Sequence, residues 1–230
     1  MKSAIVHDSR PITLVGGGKV KKSLLEAAIV HAPQMVAADG AADTVLALGR
    51  MPDAVIGDFD SLSAAGQAAI PSTRLHPIDE QDSTDFEKCL SRIDAPLVIG
   101  VGFGGGRLDH QLAVLHGLMR YPDRSCVLLS KRDLVFLAPP EMTLDLEEGT
   151  RFSLFPLGEV AARSSGLLWP LDDIDFAPGG RIGTSNIVHG PGPVRIECDR
   201  PAMLVILPVA LLSQVVRALG SAHAPRWSAR

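Results

Sequence analysis

The chain has 230 residues, of which 46% are hydrophobic and 21% are charged, a composition typical of a globular protein with one large domain or two modest ones. Twenty-two basic residues against 26 acidic ones give a net charge of −4. Since no basic block stands out, the charge argues against a nucleic-acid-binding protein.

Three features predict a cytoplasmic protein without a membrane partner. The first ten residues lack an apolar stretch of signal-peptide length. The longest apolar run, residues 202–212, is too short to span a bilayer and is interrupted by Pro208. The cysteines, Cys89, Cys126 and Cys198, are widely spaced and form no CxxC pair, which is typical of reduced thiols.

Between residues 11 and about 138, short apolar runs alternate with helical patterns. The runs of strand length are residues 12–15, 36–38, 54–56, 97–101 and 126–129. Helical spacing relates Val20, Leu24, Leu25, Ala28 and Ile29, then Phe86, Cys89, Leu90 and Ile93, then Leu108, Leu112, Leu115 and Met119. Strands that alternate with helices predict an α/β N-terminal domain with a mostly parallel sheet.

After about residue 140 the pattern changes to short alternating segments without intervening helices. These segments are residues 142–146, 151–157, 181–188, 194–198 and 203–207. They predict an all-β sandwich. An amphipathic helix is expected over residues 209–219 and a loose tail over 220–230. Pro139-Pro140 is the predicted boundary, which gives an α/β domain in residues 1–139 and a sandwich with its tail in 140–230.

Acidic or glycine-rich clusters directly follow the predicted strands. They are Gly16-Gly17-Gly18, Ala38-Asp39-Gly40, Gly57-Asp58-Phe59-Asp60-Ser61, Gln81-Asp82-Ser83-Thr84-Asp85 and Gly102-Phe103-Gly104-Gly105-Gly106-Arg107-Leu108-Asp109-His110. Ligands of a parallel α/β sheet bind outside the carboxyl ends of its strands, so we expect these clusters to meet there.

Carboxylates gathered at one sheet edge would repel each other unless a cation joined them. In an extended segment, Asp58 and Asp60 would point the same way and could reach one ion. Hard oxygen ligands suit Mg²⁺, which usually completes its shell with substrate phosphates. The alternative is a polar turn that caps a helix over residues 61–69. Thr84 and Glu87 have the spacing of a capping box, and we assign Glu87 that structural role.

The glycine-rich run before the helix predicted at 109–120 is suited to bind an anion through backbone N–H groups. Arg107 is placed to bind a phosphate with two hydrogen bonds, although a flexible turn with a solvated arginine is the alternative. His110 could contact phosphate or bond locally. The first glycine run has neither Walker spacing nor a third glycine at position 21, which excludes a P-loop and a dinucleotide fingerprint.

Taken in order, these clusters resemble the thiamine pyrophosphokinase family. The resemblance rests on Ala38-Asp39-Gly40, Gly57-Asp58-Phe59-Asp60-Ser61, Gln81-Asp82-Ser83-Thr84-Asp85-Phe86-Glu87-Lys88 and Gly105-Gly106-Arg107-Leu108-Asp109-His110. It continues in Phe155-Pro156-Leu157-Gly158, Gly166-Leu167-Leu168-Trp169-Pro170-Leu171 and Gly183-Thr184-Ser185-Asn186. It covers roughly residues 11–208, and Ala41 stands where the family often has glycine.

The resemblance implies Mg²⁺-dependent transfer of pyrophosphate from ATP to the hydroxyl of thiamine, with release of AMP. It implies a homodimer with active sites at the subunit interface. The implied catalytic residues are Asp58, Asp60, Asp82, Asp85, Arg107 and Asp109, of which Asp58, Asp60 and Asp82 would hold the metal. The implied ATP-binding residues are Asp39, Gly40, Gln81, Lys88, Gly105, Gly106 and His110. The implied thiamine-binding residues are Trp169, Thr184, Ser185 and Asn186.

Several alternatives stay open at this point. The acceptor could be a hydroxymethyl-pterin instead of thiamine, although Trp169 and the Thr184-Ser185-Asn186 motif argue against it. A nucleotide-binding regulatory module without catalysis would not need a dense carboxylate cluster. A Mg²⁺-dependent phosphohydrolase would release inorganic phosphate without an acceptor. For the general base, both Asp85 and Asp109 remain candidates.

Overall fold

The protein is described here by a computed structural model covering residues 3–190, 192–221 and 223–229. Two units are distinguished, residues 1–117 with 128–131, and residues 118–127 with 132–230. The strands up to residue 101 are β1 (Val6–His7), β2 (Ile12–Val15), β3 (Gln34–Ala38), β4 (Ala54–Gly57), β5 (Leu75–Pro77), β6 (Ile93–Asp94) and β7 (Val98–Val101). The helices among them are α1 (Lys22–His31), α2 (Ala41–Ala47), α3 (Ala64–Ala69) and α4 (Asp85–Leu90). Next along the chain come α5 (Leu108–Arg120) and β8 (Cys126–Leu129).

The first unit contains a parallel sheet in the order β7-β2-β3-β4-β5. Ile12 pairs with both Gln34 and Val98, so β2 is a central strand. Every residue of β2, β4 and β7 is buried, as is typical of parallel strands with helices on their faces. The short strands β1 and β6 form a separate parallel pair. The α/β prediction is confirmed.

Several helix predictions need correction. Helix α1 begins at Lys22, so Val20 lies outside it. The helix expected over residues 61–69 begins at Ala64, because the Ser63 side chain caps it by accepting a hydrogen bond from the Gly66 N–H. Helix α4 ends at Leu90, and Ile93 lies in β6 instead.

In α5, the buried apolar side chains are Val114 and Leu118, whereas Leu108 and Leu112 are exposed. Both pairs have i, i+4 spacing, so the apolar positions alone did not identify the buried face.

From residue 132 onward, the second unit is all-β apart from its C-terminal region. Its strands are β9 (Asp133–Leu137), β10 (Glu141–Leu144), β11 (Arg151–Pro156), β12 (Val160–Ser165), β13 (Asp175–Phe176), β14 (Gly183–Ile187), β15 (Val194–Cys198) and β16 (Met203–Pro208). They form two antiparallel groups, β14-β11-β16-β9 and β10-β15-β12-β13. Buried and exposed residues alternate along β15, as expected where one sheet face is solvated. The predicted sandwich is confirmed.

After β16, a 3₁₀ turn (Val209–Leu211) leads into α6 (Leu212–Leu219). The tail predicted to be loose contains no helix or strand over residues 223–229, but it is held at Trp227, whose indole N–H donates a hydrogen bond of 2.8 Å to the Ala138 carbonyl. The three cysteines are buried and free. Among the described residues, no helix is both long and apolar enough to cross a membrane.

Candidate active site

Three carboxylates meet where two neighbouring parallel strands end. Asp39 follows β3, and Asp58 and Asp60 follow β4. One oxygen from each of the three side chains lies within 4.8 Å of the others. Asp58 and Asp60 are two of the three metal ligands expected from the sequence, and Asp39 was expected among the ATP-binding residues.

The backbone brings these carboxylates together through a turn and one close approach. Phe59 has a φ of +64°, so the segment between Asp58 and Asp60 is not extended as expected. A Cβ atom on Gly57 would lie 2.6 Å from the Asp39 Cβ, which explains glycine at the end of β4. Likewise, a Cβ on Gly40 would lie 2.6 Å from the Ser61 carbonyl oxygen, so glycine is required there too.

The chemistry of this carboxylate group fits a hard divalent cation. Asp39 is buried, and its Oδ2 accepts a hydrogen bond of 3.2 Å from the Ser61 N–H. Its Oδ1 is buried and has no hydrogen-bond partner among the described residues. A buried carboxylate oxygen left in this state points to an ion or water as its partner. Together with the neighbouring Asp58 and Asp60, it offers the all-oxygen ligand set that Mg²⁺ prefers.

Lys88 balances part of this negative charge from within α4. Its side chain is 2% exposed, and its Nζ donates to Asp58 Oδ2 at 2.7 Å and to Asp85 Oδ1 at 3.5 Å. Gln81 Nε2 donates to the same Asp58 oxygen at 3.2 Å. The hydrogen bond from Lys88 lowers the pKa of Asp58. Burial acts to lower the pKa of Lys88, but the Asp58 hydrogen bond and the charges of Asp85 and Asp58 outweigh it and raise that pKa.

The residues at the start of α4 have different roles. Thr84 and Glu87 form the predicted capping box, in which each side chain bonds the other's backbone N–H. Asp85 begins the helix, and loss of solvent, with smaller effects of Asp39 and Asp58, raises the pKa of its carboxyl group. Asp82 is exposed and, among the described residues, does not belong to the group of three carboxylates.

The two glycine-rich loops of the first unit pack together. Gly18 N–H donates a hydrogen bond of 2.8 Å to the Gly102 carbonyl. A Cβ on Gly16 would lie 2.6 Å from the Phe103 ring, and that ring meets the Phe86 ring edge-on at 5.0 Å between centroids. The first loop therefore supports the second loop.

Beyond this packed part, the second loop is open. A Cβ on Gly105 or Gly106 would meet nothing within 4 Å, which leaves the backbone accessible. The exposed Arg107 guanidinium forms two hydrogen bonds with Asp109, of 3.2 Å and 2.6 Å. These bonds lower the pKa of Asp109. His110 is exposed beside them.

The acceptor-side residues expected from the sequence lie in the second unit, around β14. The Trp169 side chain is 55% exposed. The register between β11 and β14 shifts near Ser185, whose φ is +64°, and this bulge leaves Thr184 and Ser185 exposed. Asn186 is buried and bonds the Trp169 backbone.

Two family models match the chain in order. The model of the thiamin pyrophosphokinase catalytic domain matches residues 25–129, and that of its vitamin B1 binding domain matches residues 141–203. The chain belongs to the thiamine pyrophosphokinase family.

Relatives in this family are similar along most of the chain. Thiamine pyrophosphokinase 1 of Arabidopsis thaliana is 32% identical over 174 residues, which are 67% of this chain and 65% of the relative. Thiamine pyrophosphokinase 3 of Oryza sativa subsp. japonica is 33% identical over 157 residues, which are 60% of this chain and 59% of the relative. The chain thus spans less than two thirds of the length of these curated relatives.

Solved structures agree in fold. Thiamin pyrophosphokinase from Geobacillus thermodenitrificans has a TM-score of 0.70 and 25% identity, covering 86% of this chain and 96% of its own. Yeast thiamin pyrophosphokinase has a TM-score of 0.71 at 17% identity and covers 94% of each chain, which shows the shared fold.

Sequence reasoning missed two features of this family member. Asp39 was not grouped with the metal ligands, although it directly follows a buried strand next to the one that Asp58 follows. The buried position of Lys88 was also missed. The feature of the sequence that could have indicated the pairing of Lys88 is its i, i+3 spacing from Asp85, which places both residues on one face of a helix.

Proposed function

We propose that this protein transfers the pyrophosphoryl group of ATP to the hydroxyl of thiamine, giving thiamine diphosphate and AMP. The observation that carries the proposal is the buried, unpartnered Asp39 Oδ1 beside Asp58 and Asp60, within the region that matches the family's catalytic-domain model. A regulatory nucleotide-binding module would have no need of such a group of carboxylates.

Asp39, Asp58 and Asp60 would hold Mg²⁺. When bound, the ion would neutralise charge on the ATP phosphates and on the transferred group. Asp82 remains a proposed fourth ligand. Measuring Mn²⁺ binding without nucleotide tests this division: Asp39→Asn should weaken binding by about tenfold or more, since a ligand bond is lost, and Asp82→Asn by less. Equal losses would place both residues on the metal.

ATP would bind along the glycine-rich loop and the polar residues beside the carboxylates. Arg107 would exchange its exposed bonds to Asp109 for a phosphate, which matches the guanidinium fork equally well. The backbone N–H groups of Gly105 and Gly106 would assist, because no side chain shields them. The further proposed contacts are Gly40, Gln81 and His110.

The transfer step joins the thiamine hydroxyl oxygen to the β-phosphorus of ATP. The bond from that phosphorus to the oxygen bridging the α-phosphate breaks, and AMP leaves with the bonding electron pair. The hydroxyl proton passes to a carboxylate, for which Asp85 and Asp109 are the candidates. Such a reaction depends mainly on positioning and charge neutralisation.

Thiamine would bind through the exposed residues of the second unit. The Trp169 indole offers a flat face that can stack on the pyrimidine ring and attract the thiazolium cation. Thr184 and Ser185 would orient the heterocycle by hydrogen bonds. We further propose that residues 1–139 form the ATP-binding domain and 140–230 the thiamine-binding domain of a cytoplasmic homodimer with active sites at the subunit interface.

The deciding experiment incubates the protein with ATP, Mg²⁺ and thiamine and detects thiamine diphosphate and AMP by mass spectrometry. Equimolar formation of both products supports the proposal. A parallel reaction with a hydroxymethyl-pterin tests the other acceptor, and a reaction without acceptor tests phosphohydrolase activity. Pterin diphosphate without thiamine diphosphate, or acceptor-independent phosphate release, would refute the proposed function.

A further inference from the structure

The side chain of Asn186 is a buried polar group whose hydrogen bonds are made to nearby backbone. It is 4% exposed. Its Oδ1 accepts from the Trp169 N–H at 3.2 Å and from the Ile187 N–H at 2.8 Å, and its Nδ2 donates to the Trp169 carbonyl at 2.7 Å. Because two partners are donors and the third is an acceptor, they fix which side-chain atom is oxygen and which is nitrogen.

This amide continues a backbone ladder by one more residue. Leu167 forms an antiparallel bridge with Val188. Two residues further along this register, Trp169 lies opposite Asn186. The Leu168 N–H donates to the Ile187 carbonyl and the His189 N–H to the Gly166 carbonyl, so Leu167 and Val188 form a non-hydrogen-bonded pair, as Trp169 and Asn186 would two residues further on. A regular ladder makes no backbone bond between such a pair, and here the side-chain amide supplies bonds to both the N–H and the carbonyl of Trp169. The amide therefore fixes the piece of backbone from which the exposed indole projects.

Asn186 differs in solvent exposure from the two residues before it in β14, and this difference indicates a different role. Thr184 and Ser185 lie in the bulge of β14 and are exposed, so a ligand can reach them. Asn186 is buried, and both of its polar atoms already have partners. We propose that Asn186 is a positioning residue that acts through Trp169, holding the indole in place for a flat cationic acceptor. The part of this inference that concerns acceptor binding rests on the proposed function.

The first test needs no variant and no ligand. Asn186 is the chain's one asparagine, so protein labelled with ¹⁵N-asparagine gives the two proton signals of one side-chain amide group in NMR spectra. We expect the Nδ2 protons of the ligand-free protein to exchange with water at least about tenfold more slowly than those of a free amide, because one of them is bonded to the Trp169 carbonyl in a buried site. Exchange at the rate of an exposed amide would overturn the proposal.

The second test is a double-mutant cycle on the KM for thiamine. Asn186→Ala alone should raise this KM about tenfold, because the Trp169 backbone loses both of its bonds to the amide. The KM for ATP should change little. In a Trp169→Ala background, Asn186→Ala should add less than about twofold, since its effect passes through the missing indole. Full additivity would overturn the proposal and indicate that Asn186 contacts the acceptor itself.

Ser164 supplies a matched control for this cycle. Its hydroxyl accepts a hydrogen bond of 3.0 Å from the Leu171 N–H, so it also holds backbone near Trp169 without bonding that residue. Ser164→Ala should leave the KM for thiamine within about twofold of the original value. An increase equal to that of Asn186→Ala would make the effect a general loosening of the segment and refute the specific role. If no thiamine diphosphate forms at all, the proposed function fails while the amide exchange still decides whether Asn186 holds Trp169.

Discussion

Replacing Lys88 with Met removes a buried ammonium that two carboxylates share. Met is similar in length and fills the same space without charge. Asp58, 2.7 Å from the Lys88 Nζ, then remains beside Asp39 and Asp60 without this counter-ion. Breaking a buried pair by removing one partner typically costs about 3–5 kcal/mol of unfolding free energy.

The expected cost here is lower, because the Asp58 side chain is 16% exposed and keeps its hydrogen bond from Gln81. We expect the free energy of unfolding to fall by about 2–3 kcal/mol in metal-free buffer. For a chain of this size, that loss lowers the Tm by roughly 5–10 °C. Mg²⁺ should raise the Tm of the variant more than that of the original protein, because a divalent cation replaces the missing positive charge.

The pH dependence distinguishes a lost charge from lost packing. The pKa of Asp58 is lowered from 3.8, so its bond to Lys88 stabilises the fold above about pH 4 and is lost as pH falls through the folded-state value. The pKa of Lys88 is raised from 10.5, so the same stabilisation is lost as the pH rises through the folded-state pKa of Lys88, which lies above 10.5. The Tm difference should therefore be largest between these limits and shrink as the pH falls through the folded-state pKa of Asp58, which lies below 3.8.

Differential scanning calorimetry of both proteins across this pH range measures the effect. Lys22→Met is the control, since Lys22 is 72% exposed and 3.9 Å from Glu26, and its loss should cost at most about 0.5 kcal/mol. A Tm difference that stays the same at every pH, with no decrease toward the acid end of the range, would refute the electrostatic reasoning and assign the effect to packing.

Three further predictions concern turnover. The double change Asp58→Asn and Asp60→Asn should abolish activity while circular dichroism shows an intact fold, and near-normal activity would remove the metal-site proposal. Arg107→Lys keeps the charge but loses the planar fork, so we expect a lower kcat and a higher KM for ATP; unchanged kinetics would make Arg107 a solvated loop residue. Trp169→Ala should raise the KM for thiamine with little change for ATP, and Trp169→Phe should recover part of the loss. Equal losses toward both substrates would instead assign Trp169 a structural role.

The sequence was most informative where burial is complete. The strands β2, β4 and β7 are buried along their whole length, and their continuous apolar runs were recognised as strands. In contrast, β12 consists largely of Ala and Ser and alternates in burial, so it carries little apolar signal. The two residues of β13 are too few to show any period.

The sequence predicted which motifs form the candidate site but not how their side chains are arranged. The carboxyl ends of parallel strands converge, and this rule was enough to group the acidic motifs. Which carboxylates meet depends on the left-handed backbone at Phe59 and on the close approach of Gly57 to Asp39, and neither is visible in the pattern of residue types. In the same way, the motif that contains Asn186 does not reveal that its amide faces the backbone of Trp169.

Lys88 and Asn186 illustrate one physical rule in two different environments. Each is a nearly inaccessible polar side chain that bonds a residue with greater solvent access, Asp58 in one case and Trp169 in the other. Because burial makes an unmade hydrogen bond costly, such a group holds its neighbour more firmly than an exposed group would. A kinetic screen of single substitutions would therefore score both residues like ligands. Measurements on the ligand-free protein separate the two roles, since a positioning residue already has its effect there and a ligand-contacting residue does not.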